Sequence, residues 1–76
     1  MNKNRRAAIS VIREKLDQYS TELEELMAEE EEYRDNMPEN LQGSERYEKA
    51  DEAASALGDA ISSVIEAIQY LETACE

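Results

Sequence analysis

The strongest constraint on the fold is a repeat of apolar side chains that alternates steps of three and four residues in both halves of the chain. In the first half the repeat skips one position, Glu30, and consists of Ile9, Ile12, Leu16, Tyr19, Leu23, Leu26, Tyr33 and Met37. In the second half it consists of Tyr47, Ala50, Ala54, Leu57, Ile61, Val64, Ile68, Leu71 and Cys75. A 3.5-residue repeat is typical of helices that pack along a left-handed seam. The pattern therefore predicts two helices and no β-strands.

The segment "NMPENLQGS" separates the two repeats and predicts a chain reversal. Pro38 disfavours helical geometry at the residue before it, so the first helix is expected to end near Asp35 or Asn36. Ser44 is a favourable N-cap for the second helix. We expect one domain over residues 1–76, with helix 1 at about 4–36, the turn at 37–44 and helix 2 at about 45–74. The predicted fold class is all-α, an antiparallel two-helix hairpin of the coiled-coil type.

Two registers of this hairpin are compatible with the sequence. In the preferred one, paired residue numbers sum to 80, so that Ile9 meets Leu71 and Glu30 faces Ala50. A register that sums to 87 competes with it. Antiparallel pairing also predicts flanking contacts between the helices, namely Arg13 with Glu72, Arg34 with Asp51, and Met27 with Gly58.

The length of the chain points to self-association. A chain this short rarely builds a core worth more than about 3–5 kcal/mol without a disulfide, a metal or a partner chain. Cys75 is the only cysteine, and there is no histidine, so a partner chain is the remaining support. We predict a homodimer in which two hairpins form a four-helix bundle. The predicted self-association residues lie beside the seam of helix 2: Ala53, Ala60, Ile65, Ala67 and Ala74. The alternative is that alanine is simply the best helix former.

Composition excludes most chemistry. The net charge of −11 argues against direct binding to nucleic acid, which needs clustered lysine and arginine, and against binding to anionic membranes. Without histidine, and with Cys75 beside Glu76, no nucleophilic or acid–base site is evident, so no enzyme, catalytic residue or cofactor is predicted. A loop that starts at Asp35 lacks the oxygen ligands of an EF-hand at the required spacing, so no metal site is predicted.

Negative charge is concentrated around the turn. Residues 22–52 carry three basic and thirteen acidic side chains, a net charge of −10. Folding should bring these acids together at one end of the hairpin. The candidate partner-binding residues are Glu29, Glu31, Glu32, Asp35, Glu39, Glu45 and Glu48. One interpretation is a solvated surface that confers solubility, and the other is an anionic docking surface for a basic protein.

The stretch "YRDNMPENLQGSERYEKADEA", followed by "AISSVIEAI", resembles small acidic helical proteins of bacteriophages, prophages and mobile elements, from about residue 20 onward. No targeting or membrane-spanning segment is evident and the one thiol is free, so we expect an intracellular location, which the resemblance implies is the cytoplasm of a bacterial host. The resemblance also implies a non-enzymatic interaction protein that inhibits a host protein by binding its basic or nucleic-acid-binding surface, as a DNA mimic would. The alternative is a structural or assembly module that acts through helix-mediated self-association.

Overall fold

A computed structural model describes all 76 residues as two long helices that pack side by side. Helix α1 spans Lys3–Asp35 and helix α2 spans Glu45–Ala74, with a short 3-10 helix, Glu39–Leu41, between them. The molecule is a rod with principal extents of 59 × 14 × 12 Å. The prediction of an all-α antiparallel hairpin is confirmed.

Both helices begin at a capping side chain. The side chain of Asn2 accepts a hydrogen bond from the backbone N–H of Arg5 at 2.8 Å, and Ser44 accepts one from Tyr47 at 3.3 Å. These oxygens satisfy backbone donors that have no partner within the first turn of a helix. The predictions that Ser44 caps α2 and that α1 ends near Asp35 are confirmed.

The predicted seam of α2 is also confirmed. Ala50, Ala54 and Ile61 are buried, and the other members of its repeat are half-buried. The seam therefore follows the 3–4 spacing along the whole of α2.

The predicted seam of α1 is only half right. Ile9, Leu16 and Leu23 are half-buried and Met37 is buried, as expected. The intervening members of the repeat are instead between 48% and 57% exposed: Ile12, Tyr19, Leu26 and Tyr33. Their places toward α2 are taken by the residues that follow them in the chain: Arg13, Ser20, Met27 and Arg34. Helix α1 is thus rotated about its axis relative to the prediction.

The way side chains fit between the two helices accounts for this rotation. Ser20 is only 5% exposed. The pairing of its row, in which Arg13 meets Glu72 and Arg34 meets Asp51, places Ser20 opposite Ile65. The Sδ atom of Met27 lies 3.6 Å from the point where a Cβ on Gly58 would be. Serine opposite Ile65 and glycine opposite Met27 each combine a small residue with a large one, and a second large side chain at position 20 or 58 would hold the helices apart.

The contacts between the helices define the register. Arg13 pairs with Glu72 at 3.4 Å and Arg34 with Asp51 at 2.8 Å, so both predicted ion pairs are confirmed. Ile9 and Leu71 line one groove, and Glu30 and Ala50 line another. Both of these pairs belong to the register that sums to 80. A register that sums to 87 would instead place Leu71 opposite Leu16 and Glu30 opposite Leu57.

Candidate interaction surfaces

The two long sides of the hairpin differ in the side-chain contacts that join α1 to α2. On one side, which we call the contact face, three α1 residues reach across to α2. Its members are Arg13, Met27 and Arg34 of α1 and Asp51, Gly58 and Glu72 of α2. Within each helix these residues recur at multiples of seven, so they form one row along each helix. The contacts cover the contact face from near the chain ends to near the turn.

The opposite side, which we call the apolar face, has no such contacts. On α1 it carries the exposed heptad row Ile12, Tyr19, Leu26 and Tyr33. On α2 it carries the heptad row Ala53, Ala60, Ala67 and Ala74, which helix geometry places across the buried row from Gly58 and Glu72. A groove shared by Tyr33 and Arg46, one heptad before Ala53, joins the two rows on the same side of the hairpin.

The five predicted self-association residues do not share one face. The four alanines lie on the apolar face, with Ala60 and Ala74 exposed and Ala53 and Ala67 half-buried. Ile65 lies in the heptad row of Gly58 and Glu72, at the edge of the contact face, and is 42% exposed. The spacing along α2 itself separates Ile65 from the alanines, and the rotation of α1 adds the large α1 side chains to the alanine row.

The seven candidate acids are gathered at the turn end of the rod. Glu29, Glu31, Glu32 and Asp35 lie on the last turns of α1, Glu39 in the 3-10 helix, and Glu45 and Glu48 at the start of α2. All are exposed except Glu31, which is half-buried beside Met27 and Arg34. Their placement brings seven carboxylates from three elements to one pole, which we call the acidic pole.

Two of these acids are already paired with basic side chains. Asp35 accepts a hydrogen bond from Arg34 Nε at 2.9 Å, and Glu45 pairs with Lys49 Nζ at 3.1 Å. Hydrogen bonds raise the pKa of Arg34 above its ordinary value, because both acceptor carboxylates favour the charged guanidinium. The bond to Asp35 contributes most, followed by the bond to Asp51. The other five acids of the pole have no ion-pair partner in the hairpin.

Glu30 interrupts the apolar repeat of α1 and is half-buried at the turn end of the seam. It lines a shallow groove with Tyr33, Arg46, Lys49 and Ala50, of which Ala50 is almost fully buried. The small side chain of Ala50 leaves this groove open to solvent, so the carboxylate of Glu30 lies near water and near two basic side chains.

The remaining reactive side chains of the hairpin are dispersed. No group of three or more cysteine, aspartate or glutamate side chains is arranged to hold a metal ion. Cys75 is a free, half-buried thiol that lines a groove with Ile9 and Leu71. No helix combines the length and the apolar character that crossing a membrane requires.

Comparison of the chain with known protein families, curated proteins and solved structures finds no match. The candidate surfaces therefore depend on the geometry of this molecule alone. The sequence repeat does not distinguish the exposed row on α1, because its members fit the same 3–4 spacing as the buried ones. The contacts of Arg13, Met27 and Arg34 were predicted correctly, and they imply that the row following Ile12 and Tyr19 lies closest to α2.

Proposed function

We propose that the protein is a non-enzymatic helical assembly module that acts by packing its apolar face against another helical surface. The observation that carries this proposal is the row of four large apolar side chains, each about half exposed, on one side of α1. A large contiguous apolar patch that is exposed on a protein surface marks an interaction site. The alanines of α2 extend the same surface with side chains small enough for close helix packing.

The spacing of the row indicates the kind of partner. Its members recur every seven residues over 21 positions, which is about 32 Å at 1.5 Å per residue. A helix that carries its own heptad row can follow this line over its full length, as in coiled coils and helix-in-groove complexes. A partner with a flat or irregular surface would contact only part of the row. We therefore infer that the partner surface is helical.

A second candidate function is an acidic inhibitor that binds a basic or nucleic-acid-binding surface of a bacterial host protein. The observation that favours it is the set of five acids at the acidic pole without ion-pair partners: Glu29, Glu31, Glu32, Glu39 and Glu48. Like charges crowded at one end raise the local potential and speed encounter with a cationic protein. Binding of this kind weakens as salt rises.

Variants of the two surfaces separate the two functions. Leu26→Glu places a charge in the apolar face, and a triple variant with Glu32→Lys, Glu39→Lys and Glu48→Lys reverses the acidic pole. Ala56→Glu adds the same charge as the first variant at an exposed position outside both surfaces, and serves as the matched control. Each tagged variant is used to retain partners, including untagged copies of the protein itself, at low and high salt.

The assembly function predicts that Leu26→Glu abolishes specific retention, while the triple variant and Ala56→Glu keep it. Retention that is lost in the triple variant and in high salt, but kept in Leu26→Glu, would support the acidic inhibitor instead. Identical retention by the wild type and Leu26→Glu would contradict the assembly function.

A further inference from the structure

We infer that the partner on the apolar face is a second copy of this chain, antiparallel to the first, with α1 packed against α1 of the second copy. The inference rests on the proposed function and names its partner. It is drawn from three properties of the hairpin, which are its excess surface, the symmetry of the α1 row and the distribution of charge along the rod.

The hairpin exposes more surface than a folded monomer of its size. Its accessible surface is 5775 Å² for a mass of 8.7 kDa. Monomeric proteins of that mass expose about 4700 Å². The excess is about 1000 Å², close to the roughly 800 Å² that each partner contributes to a standard interface. Only 5 of the 76 residues are buried, so the core of a single hairpin is correspondingly small.

The α1 row is complementary to itself in the antiparallel direction. A two-fold axis between residues 22 and 23 brings Ile12 opposite Tyr33 of the second copy, and Tyr19 opposite Leu26 of the second copy. Because the spacing is uniform, all four pairs form at the same time. Each pair joins a tyrosine with an aliphatic side chain, so large rings do not meet at the same level. An isologous contact needs a surface of this kind.

The charge distribution favours the antiparallel arrangement over the parallel one. The turn half, residues 22–58, carries three basic and thirteen acidic side chains, a net charge of −10. The chain-end half carries five basic and six acidic side chains, a net charge of −1. Parallel docking would bring the two turn halves together, and antiparallel docking places each beside a chain-end half. Mutual repulsion is therefore much smaller in the antiparallel dimer.

One pair of residues comes together only in the antiparallel dimer. The same two-fold axis brings Lys15 beside Glu29 of the second copy, because both flank the α1 row at nearly equal distances from the axis. Both side chains are exposed, and neither has an ion-pair partner within the hairpin. In a parallel dimer the two residues would be about 21 Å apart along the rod, beyond the range of screened attraction.

The first test is the mass of the purified full chain by sedimentation equilibrium. We expect twice 8.7 kDa for the wild type and for Ala56→Glu. Leu26→Glu should raise the dissociation constant by about 100-fold or more, because it would bury a charge between the two copies. A monomeric wild type, or a dimer that Leu26→Glu leaves intact, would overturn the inference.

The second test is a charge exchange, which does not disturb the apolar row. Lys15→Glu and Glu29→Lys should each weaken the dimer by about 2- to 10-fold at low salt, since each opposes like charges twice. The double variant, and an equimolar mixture of the two single variants, should recover the affinity of the wild type. Failure of both to recover it would overturn the antiparallel arrangement. Circular dichroism checks that each variant keeps its helices.

The outcomes separate this inference from the proposed function. A monomeric wild type that retains some other protein through Leu26 would overturn the second copy as partner and leave the assembly function standing. Absence of both the dimer and any Leu26-dependent retention would contradict both.

Discussion

The contact face and the apolar face lie on opposite sides of the same two helices, yet different chemistry builds them. On the contact face, Arg13 and Arg34 reach across to acids of α2, and Met27 fills the space above Gly58. On the apolar face, larger and more hydrophobic side chains of α1 stay exposed beside alanines. The hairpin thus closes with its polar and flexible side chains and leaves its best apolar surface open.

The difference shows that burial follows fit as well as hydrophobicity. Serine at position 20 is almost fully buried, while tyrosine at position 19 is more than half exposed. Ser20 lies opposite Ile65 in the pairing of the contact face, so a small side chain fits where a large one would not. The larger α1 side chains are then available for a contact outside the hairpin.

The largest effect on stability is expected from a substitution in the buried seam that lies between the two faces. Ala54→Glu places a carboxylate at a position that is 5% exposed, in a groove whose basic side chain, Arg34, is already paired with Asp35 and Asp51. Uncompensated burial of a charge should lower the free energy of unfolding by on the order of 3–5 kcal/mol. That is comparable with the whole stability of so short a chain, so we expect far-ultraviolet circular dichroism to show loss of helix. Ala56→Glu, on the exposed side of α2, is the control and should remain helical.

The next largest effect is expected from substitutions at Tyr19 and Ser20, two adjacent residues whose burial depends on the rotation of α1. Ser20→Leu should lower the free energy of unfolding by about 1–3 kcal/mol at every protein concentration, because the larger side chain forces the helices apart. Tyr19→Ser should do so only at concentrations where a dimer forms, because the ring of Tyr19 makes its contacts outside the hairpin. Urea titrations at several protein concentrations measure both. The opposite result, with Tyr19→Ser costly in a dilute monomer and Ser20→Leu tolerated, would place Tyr19 in the seam.

The smallest effect on stability is expected from a substitution in the contact face. Gly58→Ala adds a Cβ at 3.6 Å from the Sδ atom of Met27, which is an ordinary van der Waals distance. Alanine also favours the helix over glycine, so the variant should be about 0.5–1 kcal/mol more stable than the wild type. Thermal unfolding measures the change. A lower melting temperature would mean that Met27 lies closer to Gly58 than the 3.6 Å separation allows for.

Much of the fold follows from the sequence, and the candidate surfaces follow from it only in part. The 3–4 repeat predicts two helices, and Pro38 and Ser44 predict where the first ends and the second begins, because these effects are local to a few residues. Rotation of α1 depends instead on which side chains fit between the two helices. Rows one residue apart are separated by only about 100° around a helix, so one repeat is compatible with either rotation.

The acidic pole shows the same division between local and long-range information. The sequence places Glu29, Glu39 and Glu48 near the turn, and the structure has them there. Which acids are neutralised depends on the rotamers of Arg34 and Lys49, which bind Asp35, Asp51 and Glu45. Only the folded chain determines that choice.

The rod shape of the hairpin has a hydrodynamic consequence. A particle of 59 × 14 × 12 Å has a high axial ratio and diffuses more slowly than a sphere of equal mass. Joining two such rods along their sides doubles the mass but leaves the length near 59 Å, so the axial ratio falls. Joining them at their ends would nearly double the length. The translational friction of the associated particle therefore distinguishes lateral from end-to-end growth, with no label attached to the protein.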